Sequence, residues 1–383
     1  MHSNNVLKDV LKVLSRGRFE RMREKVCPKE QARGFTHWTH LVSLIYAQIA
    51  GLNSLRSLEA VLKEQQAHHY HLGISDVKRS TLSHANNTRS PELFEEVLAM
   101  VTQESGKFGN ECREVLRIID SSPIHLDPNI FGELSQSNGR CHGIKLHLEY
   151  DANTARPVCF DITPANKSDL HITPLLSLLR DATYVFDRGY MKFVWWQKLA
   201  EAGCRFVSRM QKSVSYEIVK EQKIKKGSNV LRDRIIKLTG KKSSAGFLKR
   251  LRVITVQLEN STKTIDIVSN DLRSDATKLA ELYKRRWDIE LLFKWIKQNL
   301  KIKKFIGNSE NAVRLQIITA LITFVLIGMY KKLSAYQGTL SQLLLVIRAN
   351  AFQRMHHKQF FERRKSLLKT PSNQLSFSFL GAI

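Results

Sequence analysis

The hydrophobic pattern of this chain changes period near residue 104, and that change limits the fold more than any other feature of the sequence. Before it, apolar residues recur at helical spacing, with stripes at 38–50 and 55–62 and few strand signals. Ser90-Pro91-Glu92 marks a helix start, a capping serine followed by proline in the first turn, and opens a helix through Phe94, Val97 and Met100. A small helical domain over 1–103 is therefore expected, with 104–111, containing Gly106 and Gly109, as a linker.

Beyond the linker, strands alternate with helices. The run 115–120 is apolar and ends in Asp120, 144–150 alternates apolar and polar residues, and 158–162 is a third strand. A helix at 168–180 leads to a strand at 183–186 that ends in Asp187; a helix at 192–202 precedes a strand at 205–209. The order β-β-β-α-β-α-β predicts an α/β domain over 112–335, a mixed sheet with flanking helices. Residues 212–270 interrupt this order with strand-like pieces at 230–238, 252–258 and 265–269 and no helix signal, which predicts an inserted β-rich subdomain. The 16-residue run 315–330, apolar apart from Gln316, Thr319 and Thr323, is short for a membrane span and predicts a buried helix. A basic C-terminal helical region follows at 336–383.

Charge narrows the partner. Against 35 Asp and Glu stand 61 Lys and Arg, a net charge of +26, and the 43% hydrophobic content speaks for a folded chain and not a basic tail. Such an excess suits a polyanion, because cations that meet phosphates release condensed counterions. Residues 205–250 carry 14 Lys and Arg against Glu217, Glu221 and Asp233, a candidate DNA-contacting stretch. Five cysteines without a CxxC pair disfavour a disulfide framework and a zinc site, and a reducing compartment fits. His68, His69 and His71 are too close together for a typical zinc spacing.

The most informative spacing lies on a helix expected at 276–300. Tyr283, Arg286, Glu290 and Lys297 fall within roughly one 60° sector at 100° per residue. Leu282, Ile289, Leu292, Phe293 and Ile296 form the adjacent core face. Any single i,i+4 pair here reads equally as a surface salt bridge, and a single Asp after a strand as a turn residue. Together, however, two strand-end aspartates and one helical glutamate make a set of three rigidly placed carboxylates. Hard Mg²⁺ or Mn²⁺ prefers such oxygen donors, and a pair of these ions can drive in-line displacement at phosphorus.

These residues resemble the DDE transposases of bacterial insertion sequences, in the branch with the Y-x2-R-x3-E-x6-K signature (insertion sequence family four). Tyr283, Arg286, Glu290 and Lys297 match with every spacing intact, within ELYKRRWDIELLFKWIKQNLKIKKFIG. RIIDSS around Asp120, KLHLEYD at 145–151, TPANKSD at 163–169 and FDRGY around Asp187 are also similar, as are AQIAGLNSLRSLEAVL and YHLGISDVKRSTLSHAN in the N-terminal half. The resemblance implies an RNase H-like catalytic fold preceded by a helical DNA-binding domain. It implies that Asp120, Asp187 and Glu290 hold two Mg²⁺ or Mn²⁺ ions. Tyr283, Arg286 and Lys297, joined by Lys294 and Arg188, would bind DNA near the scissile bond. Arg79, Ser80 and Thr81 would open a recognition helix for the terminal inverted repeats. Some relatives stack a flipped base on an aromatic before this helix; 253–282 has no Phe, Trp or Tyr, and Trp287, the substitute, is expected to pack in the core. The expected partners are double-stranded terminal-repeat and target DNA and a second protomer on the paired ends, in the bacterial cytoplasm at the nucleoid, with no membrane. A metal-dependent RNase H-like nuclease without strand transfer, or a non-catalytic DNA-binding derivative, are the alternatives.

Overall fold

The structure, a computed structural model, describes residues 5–28, 34–107, 114–139, 141–225, 227–258 and 261–353. The helices before the sheet are α1 (Val6–Val10), α2 (Arg16–Val26), α3 (His37–Ala50), α4 (Leu55–Glu64), α5 (His69–Leu72), α6 (Arg79–Thr88) and α7 (Glu92–Gly106). The strands are β1 (Leu116–His125), β2 (Gln136–Ser137), β3 (His142–Asp151), β4 (Arg156–Pro164), β5 (Thr183–Phe186), β6 (Arg205–Arg209), β7 (Tyr216–Glu221), β8 (Val230–Leu238), β9 (Leu251–Gln257) and β10 (Thr264–Ser269). Short α8 (Pro128–Phe131), α9 (Phe193–Glu201) and α10 (Lys241–Gly246) lie between strands. After β10 come α11 (Ala276–Lys284), α12 (Trp287–Asn299), α13 (Glu310–Leu333) and α14 (Leu340–Asn350).

All ten strands form one sheet. β1 pairs antiparallel with β3 on one side and parallel with β5 on the other; β4 covers the far edge of β3, and β6 runs parallel to β5. An antiparallel β4-β3-β1 trio continued by two parallel strands is the RNase H-like order. The expected β-rich insertion is present as β7 to β10, and it does not stand apart from the sheet: β10 pairs antiparallel with β6, and β9, β8 and β7 extend the same sheet. Period-two alternation reveals a strand but not the edge it joins. The outer edge of β6 would otherwise leave backbone donors and acceptors open, and β10 closes it.

Three further expectations are revised. Ser90 Oγ does accept from the Glu92 N–H at 3.2 Å, but α7 runs on through Gly106, so 104–106 are helix and not linker. Residues 108–111 lie outside the described ones. The helix expected at 168–180 is only a 3₁₀ turn, Asp169–Leu175, with Pro174 inside it; proline lacks the N–H that an α-helix would need there. The helix at 276–300 divides into α11 and α12, because the Arg286 N–H turns to the Tyr283 carbonyl and the Asp288 N–H to that of Arg285, both i→i−3 bonds. The Arg285 side chain pins the junction, bonding Asp288 Oδ2 at 2.7 Å and the Ala152 carbonyl at 2.8 Å.

α13 carries the apolar run and packs against α3, α6 and α7. It is long and apolar enough to cross a membrane, yet 89% of its most apolar window is buried inside the fold. Its polar residues are satisfied there. Thr319 and Thr323 bond back to the Leu315 and Thr319 carbonyls at 2.7 Å, and the Gln316 side chain accepts from the Ile306 N–H at 2.9 Å. Residues 1–103 therefore do not bury their apolar faces alone; a helix from beyond the sheet completes their core. The C-terminal region is helical over α14, and 354–383 lie outside the described residues.

His40 on α3 is fully buried against α6, its Nε2 2.8 Å from Asn86 Oδ1, and burial lowers its proton affinity to about 3. In the unfolded chain the same ring protonates near its ordinary value of 6.5. The unfolded state thus binds more protons between these values, and stability falls as pH drops from 6.5 towards 3, by up to about 1.4 kcal/mol per pH unit. Thermal unfolding followed across pH 7 to 4 should show a shallower decline for His40→Gln than for the parent; parallel curves would remove His40 as the cause.

Candidate active site

Strand parity places the acids. Leu116 and Ile118 of β1, Val185 of β5 and Val207 of β6 share a core with Ile289, Leu292, Phe293 and Ile296 of α12. Ile119, Tyr184, Phe186 and Phe206 point the other way, onto Trp195, Trp196 and Leu199 of α9. Side chains alternate along a strand. Asp120, two residues after Ile118, and Asp187, two after Val185 in extended backbone (φ −85°, ψ −174°), therefore continue the face covered by α12. The parallel register Ile119↔Phe186 sets them side by side where that pairing ends. Glu290 follows the buried Ile289 on α12, the helix that packs against β1.

Both aspartates are half-buried and oriented by the backbone. The Ser121 N–H donates to Asp120 Oδ1 and the Gly189 N–H to Asp187 Oδ1, each at 2.8 Å. Burial pushes the Asp120 carboxyl up to about 7, and the charges of Asp187 and Glu290 add to that push. Burial also raises Asp187, with Asp169 contributing. Glu290 is ion-paired with Arg286, whose guanidinium lies 5.8 Å from the Tyr283 ring centroid. The expected stripe thus survives the break between α11 and α12. Lys297, at the other end of α12, reaches β1: its Nζ donates to Ser122 Oγ and to the Pro123 carbonyl, each at 2.7 Å. Burial holds that ammonium below its ordinary range.

The fold therefore gathers Asp120, Asp187, Glu290, Tyr283, Arg286 and Lys297. Arg188 is exposed beside Asp187, and Lys294 is exposed on α12. Arg79, Ser80 and Thr81 stand elsewhere, exposed on the first turn of α6, where the Arg79 N–H bonds Glu59 Oε1 at 2.9 Å. Trp287 corrects an expectation of core packing: it is 48% exposed, with the Arg286 guanidinium 5.7 Å from its ring. On the helical wheel it falls about 40° from Tyr283, outside the core face. Sequence reasoning gave no role to Asp169, Lys145 or Ser121, which bond one another beside the acids; TPANKSD, KLHLEYD and RIIDSS contained them, but no spacing linked them.

The acid set offers oxygen donors alone, the chemistry that suits Mg²⁺ or Mn²⁺. Among the described residues no three His, Cys, Asp or Glu side chains stand close enough to share one ion, and Glu290 is held by Arg286.

Residues 111–326, more than half of the chain, match the family model described as transposase DDE domain, and the chain belongs to this family of DNA-processing enzymes. Residues 2–75 match a domain of unknown function, DUF4372. Its relatives include transposases of insertion sequence elements. It is 38% identical over 261 residues to transposase y4zB of Sinorhizobium fredii, covering 66% of this chain and 71% of that one. It is 28% identical to the transposase of element IS5377 of Geobacillus stearothermophilus, covering 55% of each. To that of element IS4SA of Synechocystis it is 25% identical, over 65% of this chain and 70% of the relative. A cryo-EM structure of piggyBac transposase in a synaptic complex with hairpin DNA overlays with a TM-score of 0.44 at 9% identity, over 96% of this chain and 84% of that one.

Proposed function

We propose that this transposase binds the terminal inverted repeats of its insertion sequence, cleaves DNA at the ends to free a 3′-hydroxyl, and joins that hydroxyl to target DNA. The observation that carries this reading is the placement of Asp120, Asp187 and Glu290 on one side of the sheet within one another's fields, two at adjacent parallel strands and one on the helix packed above them. In this reading Asp120, Asp187 and, once it leaves Arg286, Glu290 would hold two Mg²⁺ or Mn²⁺ ions, which would supply hydroxyl activation and charge neutralisation at phosphorus. Arg286, fixed between Tyr283 and Glu290, grips a phosphate with its planar fork, and Lys297 adds a compact charge from the β1 side. Arg188 and Lys294 extend the basic rim.

Residues 1–103 serve repeat recognition, with Arg79, Ser80 and Thr81 at the base-reading end of α6; 112–335 carry the chemistry, and the basic 336–383 add DNA contacts. Two protomers hold the paired ends, at the nucleoid in the cytoplasm. The test combines the full chain, terminal-repeat DNA, a plasmid target and Mg²⁺. Joined products are expected, lost on chelation by EDTA, and Arg79→Ala should erode the preference for repeat over random DNA in a gel shift. Cut ends without joined product would replace transposition by simple nuclease action.

A further inference from the structure

Asp120 is followed by two serines whose side chains leave opposite faces of β1. Ser122 is on the α12 face and is held there by Lys297. Ser121 is on the other face, in register with His147 of β3, while Pro123 is in register with Lys145. There Ser121 Oγ donates to Asp169 Oδ1 at 2.6 Å, and Lys145 Nζ donates to the same oxygen at 2.9 Å and to the Lys167 carbonyl at 2.6 Å. Lys145 is only 12% exposed and Asp169 33%. The second Asp169 oxygen faces Gly189: a Cβ on that glycine would lie 2.8 Å from Asp169 Oδ2 and 3.0 Å from Asp187 Oδ1. The Tyr190 hydroxyl is buried within the fields of Asp120, Asp169 and Asp187.

We propose that Asp169 is a positioning residue of the active site, clamping Ser121 from the face opposite α12 and bracing the turn after Asp187, so that the two catalytic aspartates keep a fixed spacing. The inference rests on the assignment of Asp120, Asp187 and Glu290 as the reacting acids. Asp169 reaches both acid-bearing segments at once: it touches the middle of β1 through Ser121 and crowds the Asp187-Arg188-Gly189 turn where a side chain at 189 would stand. Lys145 supplies the countercharge that lets a carboxylate sit there, and it ties the clamp to β3. The motif TPANKSD thereby acquires a task, since Ser168 caps the 3₁₀ turn by accepting from the Leu170 N–H at 3.3 Å and so presents Asp169 to the strands.

Outer partners of metal-holding groups typically change metal affinity or activity by about 10- to 100-fold when removed. In the full-length protein, Asp169→Ala is expected to weaken Mn²⁺ binding, read by electron paramagnetic resonance without DNA, and to slow single-turnover cleavage by a factor in that range. Repeat-DNA affinity should stay near the parent value, and Asp169→Asn, which keeps an acceptor for Ser121, should recover part of the loss. Ser121→Ala, which removes one contact and little packing, repeats the test if Asp169→Ala folds poorly. Parent-like Mn²⁺ binding and cleavage in Asp169→Ala and Ser121→Ala would overturn the clamp, as would a loss that merely follows the folded fraction seen by circular dichroism. Asp120→Ala separates the two readings: if it cleaves normally the acid assignment fails, and if it is inactive while Asp169→Ala is unaffected only the clamp fails.

Discussion

Alanine at Asp120, Asp187 or Glu290 is expected to abolish DNA cleavage while leaving repeat binding intact or slightly tighter. Each substitution removes a donor from a site that has only oxygen donors to offer. The loss should exceed the roughly 100-fold upper range typical of outer-shell partners. Binding should be spared because, under the proposed function, phosphate contacts would be shared among many of the 61 cations, and deleting an anion near the bound DNA would lessen repulsion. Gel shift and single-turnover cleavage in Mg²⁺, run on the same preparations, give the comparison. Full activity in any one variant would strike that residue from the catalytic set. Among the three, Glu290→Ala has one extra consequence: it leaves the Arg286 guanidinium without its ion-pair partner, so Glu290→Gln is the cleaner control.

Removing Arg286 or Lys297 should produce the second largest effect, and of a different kind. Preorganised cations and donors aimed at developing charge are worth about 10²- to 10³-fold each, so single-turnover cleavage or end joining should fall by roughly that factor. The salt dependence of repeat binding should change by no more than about one phosphate contact, near 0.9 in the log–log slope. Arg286 is already committed to Glu290, whereas Lys297 bonds only a hydroxyl and a carbonyl of β1 among its described hydrogen bonds. Lys297→Arg tests the geometry: a compact ammonium fits between Ser122 and Pro123, and a broader guanidinium does not reproduce both contacts. Losses in binding and in the chemical step that track one another would reduce both residues to ordinary surface charge.

Much of this fold is legible in the sequence. The strands at 183–186 and 205–209 coincide with β5 and β6, since short buried β-branched and aromatic runs carry their own signal. The 283, 286, 290, 297 spacing found the helical stripe because one helix face is a local property. What stayed hidden was non-local. Nothing in 212–270 says that β10 will pair with β6, and nothing in 315–330 says that its apolar faces will be taken by α3 and α7 and not by the sheet alone. Asp169 was unread for the same reason: its bond to Ser121 spans 48 positions and exists only because β1 and the 3₁₀ turn meet in space. Trp287 is the opposite case: the wheel already sets it beside Tyr283 and off the core face, and only its large apolar ring argued for burial.

The placement of α13 bears on how the molecule comes into being. Gln48 on α3 bonds the Gln316 carbonyl across 268 positions of chain, and its other side-chain atom accepts from the Lys301 N–H. A chain emerging from the ribosome thus carries α3, α6 and α7 with their apolar flanks open until residue 333 has been added. Contacts this distant form late and slowly. Translation products that stop inside the sheet would therefore be sticky and short-lived rather than free DNA-binding fragments. Under the proposed function, recognition and chemistry would then arise together, only in the completed fold, and a half-length product would not compete for the element's ends.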